Sequence, residues 1–510
     1  MILNEFITKT GEIILYTGNL NLQEIEPLAN GVGDIWHSSF EQGYKNAFPE
    51  LVYQTATFFW YINDFDNLDQ CVSWRINPNA FAVRKSVWEA LGGFDADYEN
   101  PHLQALDFGY NALRISGAVP LYIKGLFKEN TKAEINISEK ERYVFFKKNF
   151  KIDHSVYMLF RKGFWKPREI VAFFYANSKF KQKSLTSFVK PRELLNIEGE
   201  PSVSYIIPTM MRQEFTLQLL DDLKNQSYPL SQVIIVDATP QNQRNEQVYE
   251  RKSYPFELII NWQETKGSCR ARNEAIDICT GDYIVFGDDD IRVKPDFIEK
   301  HIRVLQTYSA FACNGLDIRA DNQQQGLADL DLKLTKAEMR KVGIAHNFSN
   351  ANSCVKTEYV RKLVGNDINF DGGYGEDTDF GISLAKSGVI VISNPFSPNL
   401  HLKPPIGGYR FWGNQAKIVG RKRKAQPWEL ENPVKWVKPV PSPTVMYGII
   451  KHFTPQQVVE YKYKHFFLYL FKGSKTGFIY RFFRLPYKNL QFKRSLFYAR
   501  KLNELGIRHK

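Results

Sequence analysis

No stretch of this chain is built to cross a membrane as a helix: no apolar run approaches the roughly 18 residues that a span requires. A disulfide frame or zinc site is not expected either. The five cysteines (Cys71, Cys269, Cys279, Cys313, Cys354) are odd in number, scattered and nowhere spaced Cys-x-x-Cys. That usage suits a reducing compartment. The opening Met1-Ile-Leu-Asn-Glu5 has no basic segment followed by an apolar one, so no signal peptide is expected. Two phosphate-cradling loops are also missing, Gly-x-Gly-x-x-Gly and Gly-x-x-x-x-Gly-Lys-Ser/Thr. A backbone cradle of either kind is therefore not how this chain would hold a nucleotide.

What is present is ordinary globular composition, 43% hydrophobic and 24% charged over 510 residues. That length has room for about two to four domains. The net charge of +12 is unevenly placed. Lys403 to Lys510 holds 23 basic and 4 acidic residues, which leaves 44 basic against 51 acidic in the remainder. Aromatics, 14% of the chain, crowd into the same tail. Cations interleaved with aromatics suit an anionic membrane surface or nucleic acid. No RNA- or DNA-binding motif accompanies them, so nucleic acid is not an expected partner.

Four segments are expected. Residues 1–128 read as α/β: the stretch Phe81 to Asp95 reads as a strand and then a short helix closed by glycines. Residues 129–199 read as a basic helical connector with Phe145, Phe146 and Phe150 at near-helical spacing, packing between domains. Near Glu200 the pattern changes. Val203 to Pro208, Val233 to Asp237 and the run from Leu258 read as strands, with Phe215, Leu219, Leu220 and Leu223 on one helix face between the first two. A helix over about Ser268 to Cys279 leads to a buried strand, Tyr283 to Phe286, that ends in Asp288-Asp-Asp290. This order predicts right-handed βαβ units with ligands at the carboxyl ends of the strands. Three adjacent carboxylates repel one another unless a cation joins them, and a hard divalent ion is the expected partner. Taken alone, the same triplet reads equally well as a solvated acidic turn.

Val203-Ser-Tyr-Ile-Ile-Pro-Thr209, Val236-Asp-Ala-Thr239, Gly267-Ser-Cys-Arg-Ala-Arg-Asn273, Asp288-Asp-Asp290, Gly375-Glu-Asp-Thr-Asp379 and His401 follow in order over some 200 positions. Together they resemble the inverting glycosyltransferases of family 2. The resemblance covers residues 200–415 and implies a GT-A fold, an α/β architecture with a mixed, mostly parallel sheet flanked by helices. It implies that Pro208, Thr209 and Asp237 lie against a nucleotide, with Asp237 on the base. Asp-Ala-Thr here stands where the family more often has Asp-Asp-Gly-Ser. It implies Arg272 and Lys403 near a diphosphate, Asp288 on the ribose side, and Asp289 on the donor or tuning its field. Asp290 and His401 would hold Mn²⁺ or Mg²⁺. Asp377 would be the catalytic base and Glu376 would orient the acceptor, while Asp379 is expected only to cap its helix. The donor implied is a nucleotide-diphosphate sugar, a UDP-sugar first. The acceptor implied is a glycan or a lipid-linked chain of a bacterial surface polysaccharide. The segment 310–350 is expected to be a loop shaping the pocket.

The first segment resembles the second half of the same fold. Asn79-Ala-Phe-Ala-Val-Arg-Lys-Ser-Val87 parallels Asn352 to Val360, and Asp107-Phe-Gly109 parallels Asp379-Phe-Gly381. That alignment sets Gln104 and Ala105 where Glu376 and Asp377 stand, so the base is lost. Asp64-Phe-Asp66 is a literal Asp-x-Asp, but it lies much closer to Asn79 than Asp290 does to Asn352. The chain is expected to begin inside a degenerate, partial domain. In residues 416–510, Thr454-Pro-Gln-Gln457 is a helix-start pattern. The tail reads as a helix on anionic lipid or as a helical cap on the core. A cytoplasmic protein, peripheral on the inner membrane face, is the expected setting. The rival readings are a non-catalytic glycan-binding scaffold and a nucleotidyltransferase. The latter would want a glycine-rich basic loop after the first strand, where Met210-Met-Arg-Gln-Glu214 stands.

Overall fold

The computed structural model describes residues 2–38, 48–63, 65, 67–128, 135–183, 188–250, 253–336, 341–409, 427–429, 431–471 and 477–507. The chain forms two compact units. The first comprises Met1–Pro191, Lys341–Ile344 and Thr454–Phe482, the second Arg192–Arg340, Ala345–Phe453 and Phe483–Lys510.

In chain order the first unit begins with β1 (Asn4–Ile7), β2 (Ile13–Thr17), α1 (Leu22–Asn30), β3 (Ile35–His37), α2 (Pro49–Thr55), β4 (Gln70–Val72), β5 (Phe81–Arg84), α3 (Lys85–Leu91), α4 (Pro101–Asn111) and β6 (Pro120–Ile123). Its helices α5 (Glu139–Asn149), α6 (Ile152–Lys162) and α7 (Pro167–Lys179) follow. The sheet order is β1-β2-β5-β3-β6-β4.

The second unit contributes β7 (Val203–Thr209), α8 (Gln213–Lys224), β8 (Gln232–Asp237), β9 (Glu257–Trp262), α9 (Ser268–Ile278), β10 (Tyr283–Gly287), β11 (Ile291–Val293), α10 (Phe297–Thr307), β12 (Ala312–Arg319), α11 (Leu327–Lys336), β13 (Asn352–Lys356), α12 (Thr357–Lys362), α13 (Glu376–Lys386), β14 (Val391–His401) and α14 (Pro443–His452). Then α15 (Pro455–Phe471) and α16 (Phe478–Phe483) precede α17 (Leu485–Leu505). The sheet order is β11-β14-β12-β13-β10-β7-β8-β9, with β10, β7, β8 and β9 parallel. β7, β8 and β10 are buried along their whole length. Unbroken apolar runs such as Val233-Ile-Ile-Val236 therefore sit at the centre of a sheet covered on both faces. Helix α8 packs Leu219, Leu220 and Leu223 inward as its spacing predicts.

The internal likeness extends to strand pairing. β5 is antiparallel to β2 and β3, and β3 is parallel to β6, as β13 is antiparallel to β10 and β12, and β12 is parallel to β14. β4 flanks β6 as β11 flanks β14. Among the described residues, the first sheet has no counterpart of parallel β7–β8–β9. It retains the half of the pattern that holds β12, β13 and β14 and not the half at whose strand ends Thr209 and Asp237 stand.

The two compact units divide the chain at other places than 128, 199 and 415. The expected connector falls in the first unit as far as Pro191, and there Phe145, Phe146 and Phe150 bury their rings against Phe48 and Tyr110. The tail is divided: α15 joins the first unit through Glu460, which accepts from Tyr157 and Arg161, while α17 packs on α14 in the second. The segment 310–350 is not one loop: it contains β12 and α11. Residues 337–340, Asp64 and Asp66 lie outside the described residues. The helix start at Thr454 is found as expected, with Gln457 N donating to Thr454 Oγ1 and Thr454 N donating to Gln457 Oε1.

Candidate active site

Register builds the site. β10 ends at Gly287, so Asp288 stands just beyond its carboxyl end. β11 then pairs antiparallel with β14 and sets Ile291 opposite His401, bringing the imidazole beside Asp290. One ligand atom each from Asp288, Asp290 and His401 lies within 4.8 Å of the others. His401 Nε2 is 3.2 Å from Asp290 Oδ1, and its Nδ1 is 3.0 Å from Asp317 Oδ1. Asn399 Nδ2 donates to that same oxygen at 2.7 Å. Asp317 thus accepts from Nδ1–H and turns Nε2 toward the cluster, the arrangement that orients metal-binding histidines. Burial would lower the pKa of His401, but Asp290 and Asp317 outweigh it and hold it raised to about 10. The oxygen-and-imidazole donor set fits Mn²⁺ or Mg²⁺.

Asp289 turns the other way. Thr209 Oγ1 donates to its Oδ2 at 2.7 Å, and Arg212 Nη1 lies 3.1 Å from its Oδ1. Burial pushes its carboxyl up, against the pull of Arg212. It therefore holds the Thr209 strand end and the Arg212 side chain and is not in the ligand set. Arg212 also reaches Asp290 Oδ2 at 2.9 Å and donates to the carbonyls of Pro404 and Ile406. Gly407 and Gly408, both at positive φ, press on that side chain; a Cβ there would lie 2.6 Å and 2.9 Å from it. Arg212 accordingly stitches the 404–408 turn to the acidic cluster.

On the other side of Asp288, Arg272 Nη2 donates to its Oδ1 at 2.8 Å. Asp237 is buried at the end of β8, accepting from Thr239 N and Tyr249 OH, and burial raises its pKa. Pro208 and Thr209 lie in register with Val236 and Asp237, so the two strand ends share one rim. Lys403 lies two residues past the end of β14, exposed and at φ 50°.

Gly375 adopts φ 114°, which a side chain would strain, and α13 starts at the next residue. Glu376 and Asp377 occupy its first turn. Asn350 N donates to Asp377 Oδ1 at 3.3 Å. Burial and the neighbouring Glu376 charge push the Asp377 carboxyl up to about 7, while Arg272 draws it down. A carboxylate poised there can take a proton at neutral pH. Asp379 does not cap the helix. It is buried, and its Oδ1 meets His452 Nε2 and Lys451 Nζ, each at 2.7 Å. Lys451 also pairs with Asp367, which accepts from Tyr447 OH. Helix α14 thereby anchors the helix that carries Asp377.

Arg212, Asp317 and Lys451 were not legible as site residues. Arg212 stood in plain view after the first strand, but only as part of a segment lacking glycine. Asp317→Ala should weaken Mn²⁺ binding by about 10- to 100-fold, the usual cost of losing a histidine-orienting carboxylate. Calorimetric titration of Mn²⁺ into donor-free protein checks this; an unchanged affinity would show that Asp290 alone orients the ring.

The strand order, the parallel β10-β7-β8-β9 half and the acids at its carboxyl ends define a GT-A glycosyltransferase fold. Residues 204–363 match the family Glycosyl transferase family 2. TuaG of Bacillus subtilis (strain 168), named for teichuronic acid biosynthesis, is 29% identical over 126 residues, 24% of this chain and 50% of that protein. The amylovoran biosynthesis glycosyltransferase AmsB of Erwinia amylovora is 32% identical over 108 residues, 21% of this chain and 36% of that protein. The chain thus spans half or less of the length of these relatives. Among solved structures, the mannosyltransferase PcManGT from Pyrobaculum calidifontis with GDP-Man and Mn²⁺ aligns at 17% identity and TM-score 0.33, covering 62% of this chain and 90% of that one. S. aureus TarS 1–349 with UDP-GlcNAc aligns at 12% identity and TM-score 0.34, covering 61% and 93%.

Proposed function

We propose that the second unit is a metal-dependent, inverting glycosyltransferase. It moves a hexose or amino sugar from a nucleotide-diphosphate donor, a UDP-sugar first, to a glycan or lipid-linked acceptor of a bacterial surface polysaccharide. One observation carries the proposal: a compact Asp288, Asp290 and His401 cluster beside the nucleotide-facing strand ends, in one unit with a carboxylate poised near neutrality at Asp377. Asp288, Asp290 and His401 would hold Mn²⁺ or Mg²⁺, which supplies charge neutralisation for the departing diphosphate. Asp237 and the Pro208–Thr209 rim would seat the base and ribose, and Arg272 and Lys403 would face phosphates. Glu376 would orient the acceptor. Asp377 takes the acceptor hydroxyl proton as that oxygen attacks the anomeric carbon opposite the leaving group, and the configuration inverts. The basic aromatic tail would hold the enzyme on the cytoplasmic face of an anionic membrane.

Thermal shift and calorimetry with UDP-, GDP-, dTDP- and CMP-sugars, with and without Mn²⁺, test the donor. Metal-dependent stabilisation by one nucleotide class supports the proposal and names the base. Stabilisation by none would favour a non-catalytic glycan-binding scaffold instead.

A further inference from the structure

Helix α6 has two faces. Ser155, Tyr157 and Met158 are buried, while Ile152, Val156 and Phe160, four residues apart on the opposite side, are exposed. The stripe runs on into the elbow between α6 and α7, where Phe164 and Trp165 are 59% and 69% exposed. Their rings meet edge to face at 5.1 Å, so the two make a single projecting wedge. On α7, Val171 and Phe174 continue it at 59% and 65% exposure. The Phe160 ring lies 5.7 Å from that of Phe467 of α15, tilted against it, and Phe467 lies 4.7 Å from the exposed Phe471. Large apolar groups gathered this way on a water-facing surface mark an interaction site.

The surrounding charge says what kind. From Lys151 to Lys183 there are eight basic residues and two acids, Asp153 and Glu169. Glu169 is buried and accepts from Tyr143 OH. Lys166 and Arg168, directly beside the wedge, are exposed, whereas Arg161 and Lys162 pair with Glu460 and Glu50. A second copy of this chain would bring the same cations against themselves. An anionic bilayer offers the complementary pair of environments, acyl chains for the rings and phosphates for the cations.

We propose that the α6–α7 elbow, continuous with the outer edge of α15, docks the protein on an anionic lipid bilayer, with Phe164 and Trp165 inserted and Lys166 and Arg168 at the headgroups. The wedge of membrane attachment is thus placed in the segment that reads as a connector, in addition to the tail. It belongs wholly to the first unit and does not depend on the reaction proposed for the second.

Co-sedimentation of the full chain with vesicles of phosphatidylcholine, alone or mixed with phosphatidylglycerol, tests this. Wild type is expected to pellet with the mixed vesicles and to be released as salt rises. Phe164→Ser with Trp165→Ser, and separately Lys166→Glu with Arg168→Glu, should each weaken partitioning at least about tenfold. All four side chains are exposed, so unchanged thermal melts are expected and show that the fold is intact. Wild type that ignores anionic vesicles, or binds both kinds alike, overturns the proposal. So does a variant that binds like wild type. A dimer in sedimentation velocity that the same substitutions dissolve would assign the surface to a second copy, and also overturns it. Metal-dependent donor stabilisation, measured without lipid, reports on the second unit separately.

Discussion

Asp377→Asn should lower kcat by roughly 10²- to 10⁴-fold, the range supplied by a positioned base, while donor affinity stays at the wild-type value. The change is nearly isosteric, and the amide oxygen can still accept from Asn350 N as the carboxylate does. What is lost is the capacity to take a proton. The same logic fixes the pH profile. The base must be ionised, and its carboxyl is pushed up to about 7. Log kcat/KM should therefore climb with unit slope below about pH 7 and level above it. Stability runs the opposite way. A carboxyl whose folded pKa lies above its unfolded value of 3.8 stabilises fully below that value, and this contribution is lost as pH rises through about 7. The Asn variant escapes that loss, so at pH 8 it should melt no lower than wild type. If Glu376→Gln proved the crippling substitution and Asp377→Asn a mild one, the base would be Glu376.

Sequence showed the strands better than the contacts. Val203 to Thr209, Val233 to Asp237 and Tyr283 to Phe286 were legible because strands buried on both faces are unbroken apolar runs bounded by turns. Asp288, Asp290 and His401 were legible as separate motifs. Their meeting depends on the β11–β14 register, which no local pattern encodes. Asp379 shows the opposite failure. An acid in the first turn of a helix suggests a cap, yet its partners Lys451 and His452 arrive from more than 70 residues downstream. The first unit repeats the anchor without the acid pair. Asp107, the counterpart of Asp379, is likewise buried and accepts from Tyr98 OH and Asn149 Nδ2, on a helix with Gln104 and Ala105 where Glu376 and Asp377 stand in the second unit.

The second large effect concerns the cation site, where two substitutions should act with opposite sign. Asp290→Ala removes a ligand from the only Asp/His group of this kind found among the described residues. Mn²⁺ affinity should fall by at least about 100-fold, and metal-dependent donor stabilisation should vanish with it. Arg212 lies 2.9 Å from that same carboxylate, on the oxygen away from His401. Asp290 therefore has one negative charge to share between a guanidinium already in place and an incoming ion. Arg212→Ala relieves this competition, and Mn²⁺ alone should bind several-fold tighter to the donor-free protein, about the scale of one partly screened charge interaction. Donor affinity should move the other way. The substitution frees the carbonyls of Pro404 and Ile406 and releases the 404–408 turn. It also deletes a guanidinium suited to a diphosphate once the ion has drawn Asp290 away. Calorimetry of Mn²⁺ without donor, then of donor at saturating Mn²⁺, separates the two effects. Arg212→Ala protein that bound bare Mn²⁺ more weakly would mean that the arginine organises the carboxylates rather than competing for them. The turn that it holds would then be part of the metal site itself.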